Sequence, residues 1–119
     1  MPRALDRAPD LGRGEAMVLV SVMYPNEPES WFDLNYYLQK HIPLVKERWS
    51  PMGLEDVRLV RGVSMPNAAP PLYQVMALLS FRSMQDFQNA AGAHAQELFA
   101  DIPNFTNVQP VRQISEDLS

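Results

Sequence analysis

Residues 17–24 (MVLVSVMY) are apolar at nearly every position. Val18, Val20 and Val22 interleave with Met17, Leu19 and Met23, and Pro25-Asn26 closes the run, so the pattern predicts a first strand. The period then changes. Leu34, Tyr37, Leu38, His41, Val45 and Trp49 recur at spacings of three and four behind Asp33, a capping residue, which predicts a helix over 33–49. LEDVRLVRGVSM (54–65), alternating at Val57, Leu59 and Val63, and LYQVMALLSF (72–81) predict a strand pair joined by a loop at 67–71. Ser83 and Asp86 resemble a capping box. Phe87, Ala91, His94 and Leu98 then form the stripe of a second helix that ends near Asp101, with Gly92 as a break point. Pro103 and Asn104 turn the chain into TNVQPVRQI (106–114). Pro110 cannot donate to a ladder, so this last strand is expected at a sheet edge. Residues 1–16 have no periodic apolar face and are expected to form a flexible tail before a domain over 17–116.

The order βαββαβ is that of a ferredoxin-like α+β fold, an antiparallel four-stranded sheet with both helices on one face. Strands 1 and 3, expected at the centre, are apolar on both faces. Two helices cover only one of those faces. The other is expected to lie against a second copy of the chain, making a homodimer.

Composition narrows the function. The 119 residues suit one domain, and a net charge of −4 argues against nucleic acid or an anionic membrane as a partner. The absence of cysteine rules out thiolate chemistry and Cys-based metal sites and suits a cytoplasmic protein. No apolar run approaches the ~20 residues that span a bilayer, and the N-terminus lacks the apolar segment of a secretory signal. Phosphate-binding Gly loops, Ser-centred elbows and dinucleotide fingerprints are missing, so no cofactor is expected.

SVMYPN (21–26), FDLNYYLQKHIPLV (32–45) and HAQELFADIPNFTNVQPVRQIS (94–115) together resemble the EthD family, named for ethyl tert-butyl ether degradation. The resemblance covers 17–116 and rests on Tyr24-Pro25, Phe32-Asp33, Tyr36-Tyr37, His41, Pro43, His94 and the run DIPNFT at 101–106. It implies a dimeric α+β barrel in which two ferredoxin-like sheets face one another, and a connection to oxidative degradation. The wider set of such barrels mixes cofactor-free monooxygenases, lactone isomerases, polyketide cyclases and haem-binding enzymes, so fold alone does not name the reaction.

His41 is the central candidate. It lies one turn after Tyr37 on the same face, and Pro43 deprives the Gln39 carbonyl of its helical donor, so a kink is expected to open a cavity between helix and sheet. His41 reads either as a core histidine held by the Gln39 carbonyl, a tyrosine or water, or as a general acid-base in a dry pocket. The resemblance singles out this position. Two histidines and no dense carboxylate cluster supply a metal poorly, so no metal site is expected. Tyr37 is the best placed phenol to orient a substrate oxygen, with Tyr24, Tyr73 and His94 as further ligand-binding candidates. His94 falls on the second helix stripe and reads equally as a surface residue, and Arg112 reads as the partner of a carboxylate. Two functions fit: a cofactor-independent acid-base enzyme acting on small apolar oxygenated compounds, or a noncatalytic protein holding a small hydrophobic ligand or a redox partner.

Overall fold

The computed structural model describes residues 16–119; the expected tail, 1–16, lies outside the described residues apart from Ala16. β1 (Val18–Pro25) is followed by α1 (Leu34–Tyr36), a π-helical turn (Tyr37–His41) and α2 (Ile42–Trp49) in one continuous helical run. β2 (Leu54–Arg61), β3 (Tyr73–Phe81), α3 (Met84–Ala100) and β4 (Val111–Glu116) complete the chain. The strands form one antiparallel sheet in the order β2-β3-β1-β4, the ferredoxin-like arrangement with β1 and β3 central.

The helices begin where the sequence supplies caps. The Asp33 carboxylate accepts from the Tyr36 N–H at 3.0 Å, and Ser83 Oγ accepts from the Asp86 N–H at 3.1 Å. A 3-10 turn at Ser50–Met52 extends the first helical run to Gly53, whose φ of 103° favours glycine. A Cβ there would also come within 2.6 Å of the Asp86 carboxylate. Trp49 Nε1 donates to the Ala90 carbonyl at 2.9 Å, tying α2 to α3.

Alternation divides the sheet cleanly. Val18, Val20 and Tyr24 of β1 and Val75, Ala77, Leu79 and Phe81 of β3 are buried beneath the helices. The face without helices carries Leu19, Met23, Met76 and Leu78. Register aligns Val111, Met23, Met76 and Val60 into an apolar row across all four strands. Under the helices the core has two parts. One gathers Val45, Trp49, Phe81, Ala90 and Leu98; the other gathers Tyr24, Tyr37, Ile42, Ile102 and Phe105.

Four sequence expectations are corrected. Leu38 is exposed and Ile42 buried, because the wider π turn rotates the apolar stripe. Val63 lies beyond β2 and is fully exposed: the last ladder bond runs from the Gly62 N–H to the Gln74 carbonyl, and a Cβ at Gly62 would overlap the Tyr73 carbonyl. Gly92 does not break α3, since it lies on an open face with nothing near its missing side chain. β4 starts only at Val111, so Pro110 precedes the edge strand instead of interrupting it.

Candidate functional site

Pro43 sets the local geometry. Among ordinary α-helical bonds its missing N–H would leave the Gln39 carbonyl without its donor. The chain makes a π turn instead, in which the Ile42 N–H reaches back to the Tyr37 carbonyl, and Pro43 falls in the first turn of α2, where no donor is needed. This turn faces the sheet with Tyr37, 1% exposed, and His41, 6% exposed. Their rings stack at 5.7 Å with an interplanar angle of 16°, and Phe105 closes on the imidazole at 4.6 Å.

The imidazole's partner comes from a distant part of the chain. His41 Nδ1 lies 2.9 Å from Asp101 Oδ2. The other carboxylate oxygen accepts from the Tyr36 hydroxyl at 2.7 Å and from Asn104 Nδ2 at 2.9 Å. Asp101 is held there because the segment after α3 is tied to the segment before α1. The Asp33 N–H donates to the Phe105 carbonyl at 2.7 Å, Thr106 Oγ1 donates to the Trp31 carbonyl at 2.7 Å, and the Trp31 N–H donates to Asn107 Oδ1 at 2.9 Å. A carboxylate can only accept, so Nδ1 carries the proton and Nε2 keeps its lone pair.

A cavity of about 50 Å³ lies between these groups and the sheet, lined by Tyr24, Tyr37, His41, Trp49, Phe99 and Ile102 among mostly apolar neighbours. Three polar atoms on its lining residues have no hydrogen-bond partner among the described residues: Nε2 of His41 and the hydroxyls of Tyr24 and Tyr37. Burial pushes both phenols well above their ordinary range. Burial also lowers His41 below the usual histidine value, against the opposing pull of Asp101, so the ring is neutral near pH 7. Burial works to raise the Asp101 carboxyl. The hydrogen bonds from Tyr36, Asn104 and His41 and the attraction of the imidazole outweigh it and leave Asp101 below its ordinary value. Tyr36 is shifted upward by its bond to Asp101.

A solved structure of an EthD-like protein from Ralstonia eutropha JMP134 matches this chain with a TM-score of 0.79 at 34% identity, covering 86% of this chain and 92% of that one. The chain belongs to the EthD-like family. An EthD family protein from Bacillus halodurans C-125 shares the fold at 18% identity and a TM-score of 0.58, covering 86% of this chain and 98% of that one. No family model matches the chain, and no curated protein matches it.

In this EthD-like chain His41, Tyr37 and Tyr24 surround one cavity, whereas His94 and Tyr73 do not line it. His94 is half-buried on α3, 3.8 Å from Glu97, because the cavity lies against the end of α3, one turn beyond it. Tyr73 opens β3 opposite Pro25. The imidazole partner is Asp101, not the Gln39 carbonyl. Arg112 meets no carboxylate among the described residues; its guanidinium lies over the Phe99 ring at 4.4 Å. Sequence reasoning missed Tyr36, Asp101 and Asn104 as site residues. Their one signal was membership of Tyr36-Tyr37 and the 101–106 run, since nothing local relates Asp101 to a histidine sixty residues away, and Tyr36 reaches the site only through Asp101. No group of three or more metal-ligating side chains occurs among the described residues, and none of their helices is long and apolar enough to cross a membrane.

Proposed function

We propose that this EthD-like chain is an acid-base enzyme with no bound cofactor, acting on small apolar oxygenated compounds in oxidative degradation, with His41 as the group that carries the proton. One observation supports this most: the unpartnered Nε2 and two unpartnered phenols around a single apolar cavity. Buried polar groups are nearly always hydrogen-bonded, and each one left unpaired costs about 1–3 kcal/mol. A ligand oxygen offered to the phenols would remove that cost. It would also bring an acidic C–H or O–H beside Nε2.

In this reading Nε2 takes the proton, Asp101 stabilises the imidazolium that forms, and the phenols donate to the oxygen on which negative charge develops. The cavity of about 50 Å³ takes the reacting end of the molecule only, so the body of the substrate extends beyond it. The apolar row Val111-Met23-Met76-Val60 on the helix-free face supports a homodimer in which a second copy covers that row. The lack of cysteine supports a cytoplasmic location.

Native mass spectrometry of the purified protein, to find a retained organic ligand, followed by incubation with that ligand, tests the reading. Turnover that falls by about 10²- to 10⁴-fold in His41→Asn, with the fold intact, supports it. A ligand held unchanged would favour a noncatalytic binding protein, and equal turnover in His41→Asn would remove the histidine from the mechanism.

A further inference from the structure

The two helices leave the helix-side surface of β4 open. Register places Ile114 beside Val20 and Arg112 beside Val22, so both side chains share the face on which the core lies, yet Ile114 is 43% exposed. The reason is in α3, which turns the small residues Ala91 and Ala95 toward this edge. A groove of about 460 Å³ results, floored by Val20, Val22, Ala91, Ala95 and Ile114. That volume is in the range of ~300–1,000 Å³ typical of small-molecule sites. Phe99 and Arg112 line it and also line a second hollow of about 320 Å³, so this pair stands where the two meet.

Arg112 is the feature that selects a ligand. The guanidinium carbon lies 4.4 Å from the centre of the Phe99 ring, a cation–π contact that uses none of its N–H donors. No acceptor among the described residues takes them. A planar fork of donors beside a hydrocarbon floor matches a carboxylate attached to an apolar body. One guanidinium suits a monoanion better than a phosphate dianion.

We propose that the groove between α3 and β4 binds a small amphipathic carboxylate, its anion on Arg112 and its hydrocarbon part on Val20, Val22, Ala95 and Ile114. Phe99, Val22, Trp49 and Leu79 line both this groove and the His41 cavity, so the bound molecule lies one side chain away from the imidazole. The assignment does not depend on His41 being a catalyst.

Titration calorimetry of the full chain with octanoate, and with 1-octanol as the uncharged counterpart, tests the assignment. Octanoate is expected to bind at least tenfold more tightly than octanol, and Arg112→Gln to remove that preference, as a lost charge-assisted pair would. Methyl NMR should show the largest octanoate-induced shifts at Ile114, Ala91 and Ala95. Binding should persist in His41→Asn and disappear in Ala95→Trp, which fills the groove. Equal affinity for acid and alcohol, no octanoate binding at about 1 mM, a corresponding free energy near −4 kcal/mol, or methyl shifts confined to the His41 cavity would each overturn it.

Discussion

Replacing Asp101 by Asn keeps the size of the side chain and changes what its two terminal atoms can do. In the native site Oδ1 accepts from Tyr36 and Asn104, and Oδ2 accepts from His41 Nδ1. The amide retains one acceptor. If its carbonyl stays with Tyr36 and Asn104, its NH₂ faces Nδ1, and two donors then oppose each other. The imidazole relieves this by moving its proton to Nε2, so that Nδ1 accepts from the amide. All three bonds also lose their charge assistance. Hydrogen bonds to charged groups contribute ~1.5–3 kcal/mol and neutral ones ~0.5–1.5, so about 1 kcal/mol is lost per bond. The Asp101 side chain is 15% exposed and the bonds share one group, so the sum is discounted to about 2 kcal/mol. That corresponds to a fall in Tm of about 10 °C for a domain of this size. Long-range ¹H–¹⁵N correlation spectra at pH 8 read the tautomer directly, and urea denaturation reads the stability. The His41 pKa should also fall further, because Asp101 is what opposes burial in raising it. If the proposed chemistry holds, moving the proton to Nε2 removes the base and turnover falls by about 10²- to 10⁴-fold. An unchanged tautomer together with a stability loss below about 0.5 kcal/mol, less than one ordinary hydrogen bond, would refute the assignment of Asp101 as the group that orients His41.

The acid limb of the stability profile should carry the same signature. His41 titrates below its ordinary value in the folded chain, so the unfolded chain takes up the proton first, and stability falls as pH drops below about 6.5 with a slope of up to 1.4 kcal/mol per pH unit. The lowered Asp101 carboxyl adds a second loss below about pH 3.8, and His41→Asn should abolish the first phase in denaturation curves taken between pH 7 and 5. Met23→Glu puts a charge in the middle of the apolar row on the helix-free face, and light scattering should then return the monomer mass where the parent chain returns a dimer; a monomeric parent chain would defeat the homodimer proposal. Ser83→Ala removes the cap of α3 and should cost about 1 kcal/mol in urea denaturation.

Local patterning determined the elements of this protein. The apolar runs of β1 and β3 made them central strands, and the caps at Asp33 and Ser83 started the helices, because such signals act over a few residues of backbone. Spacing of four also put Tyr37 and His41 side by side, and Pro43 marked the turn as irregular. Tertiary structure decided what surrounds the imidazole. Asp101 reaches it only because the segments around Trp31-Asp33 and Phe105-Asn107 are hydrogen-bonded together. The same holds for Arg112, whose partner proved to be an aromatic face on α3 and not a carboxylate. His94 and His41 both fell on apolar stripes, yet the cavity forms against the end of α3 and excludes His94. Periodicity specifies which face of an element is buried. Which partner each buried group meets depends on how the elements are brought together, and contacts across sixty residues leave no period in the sequence.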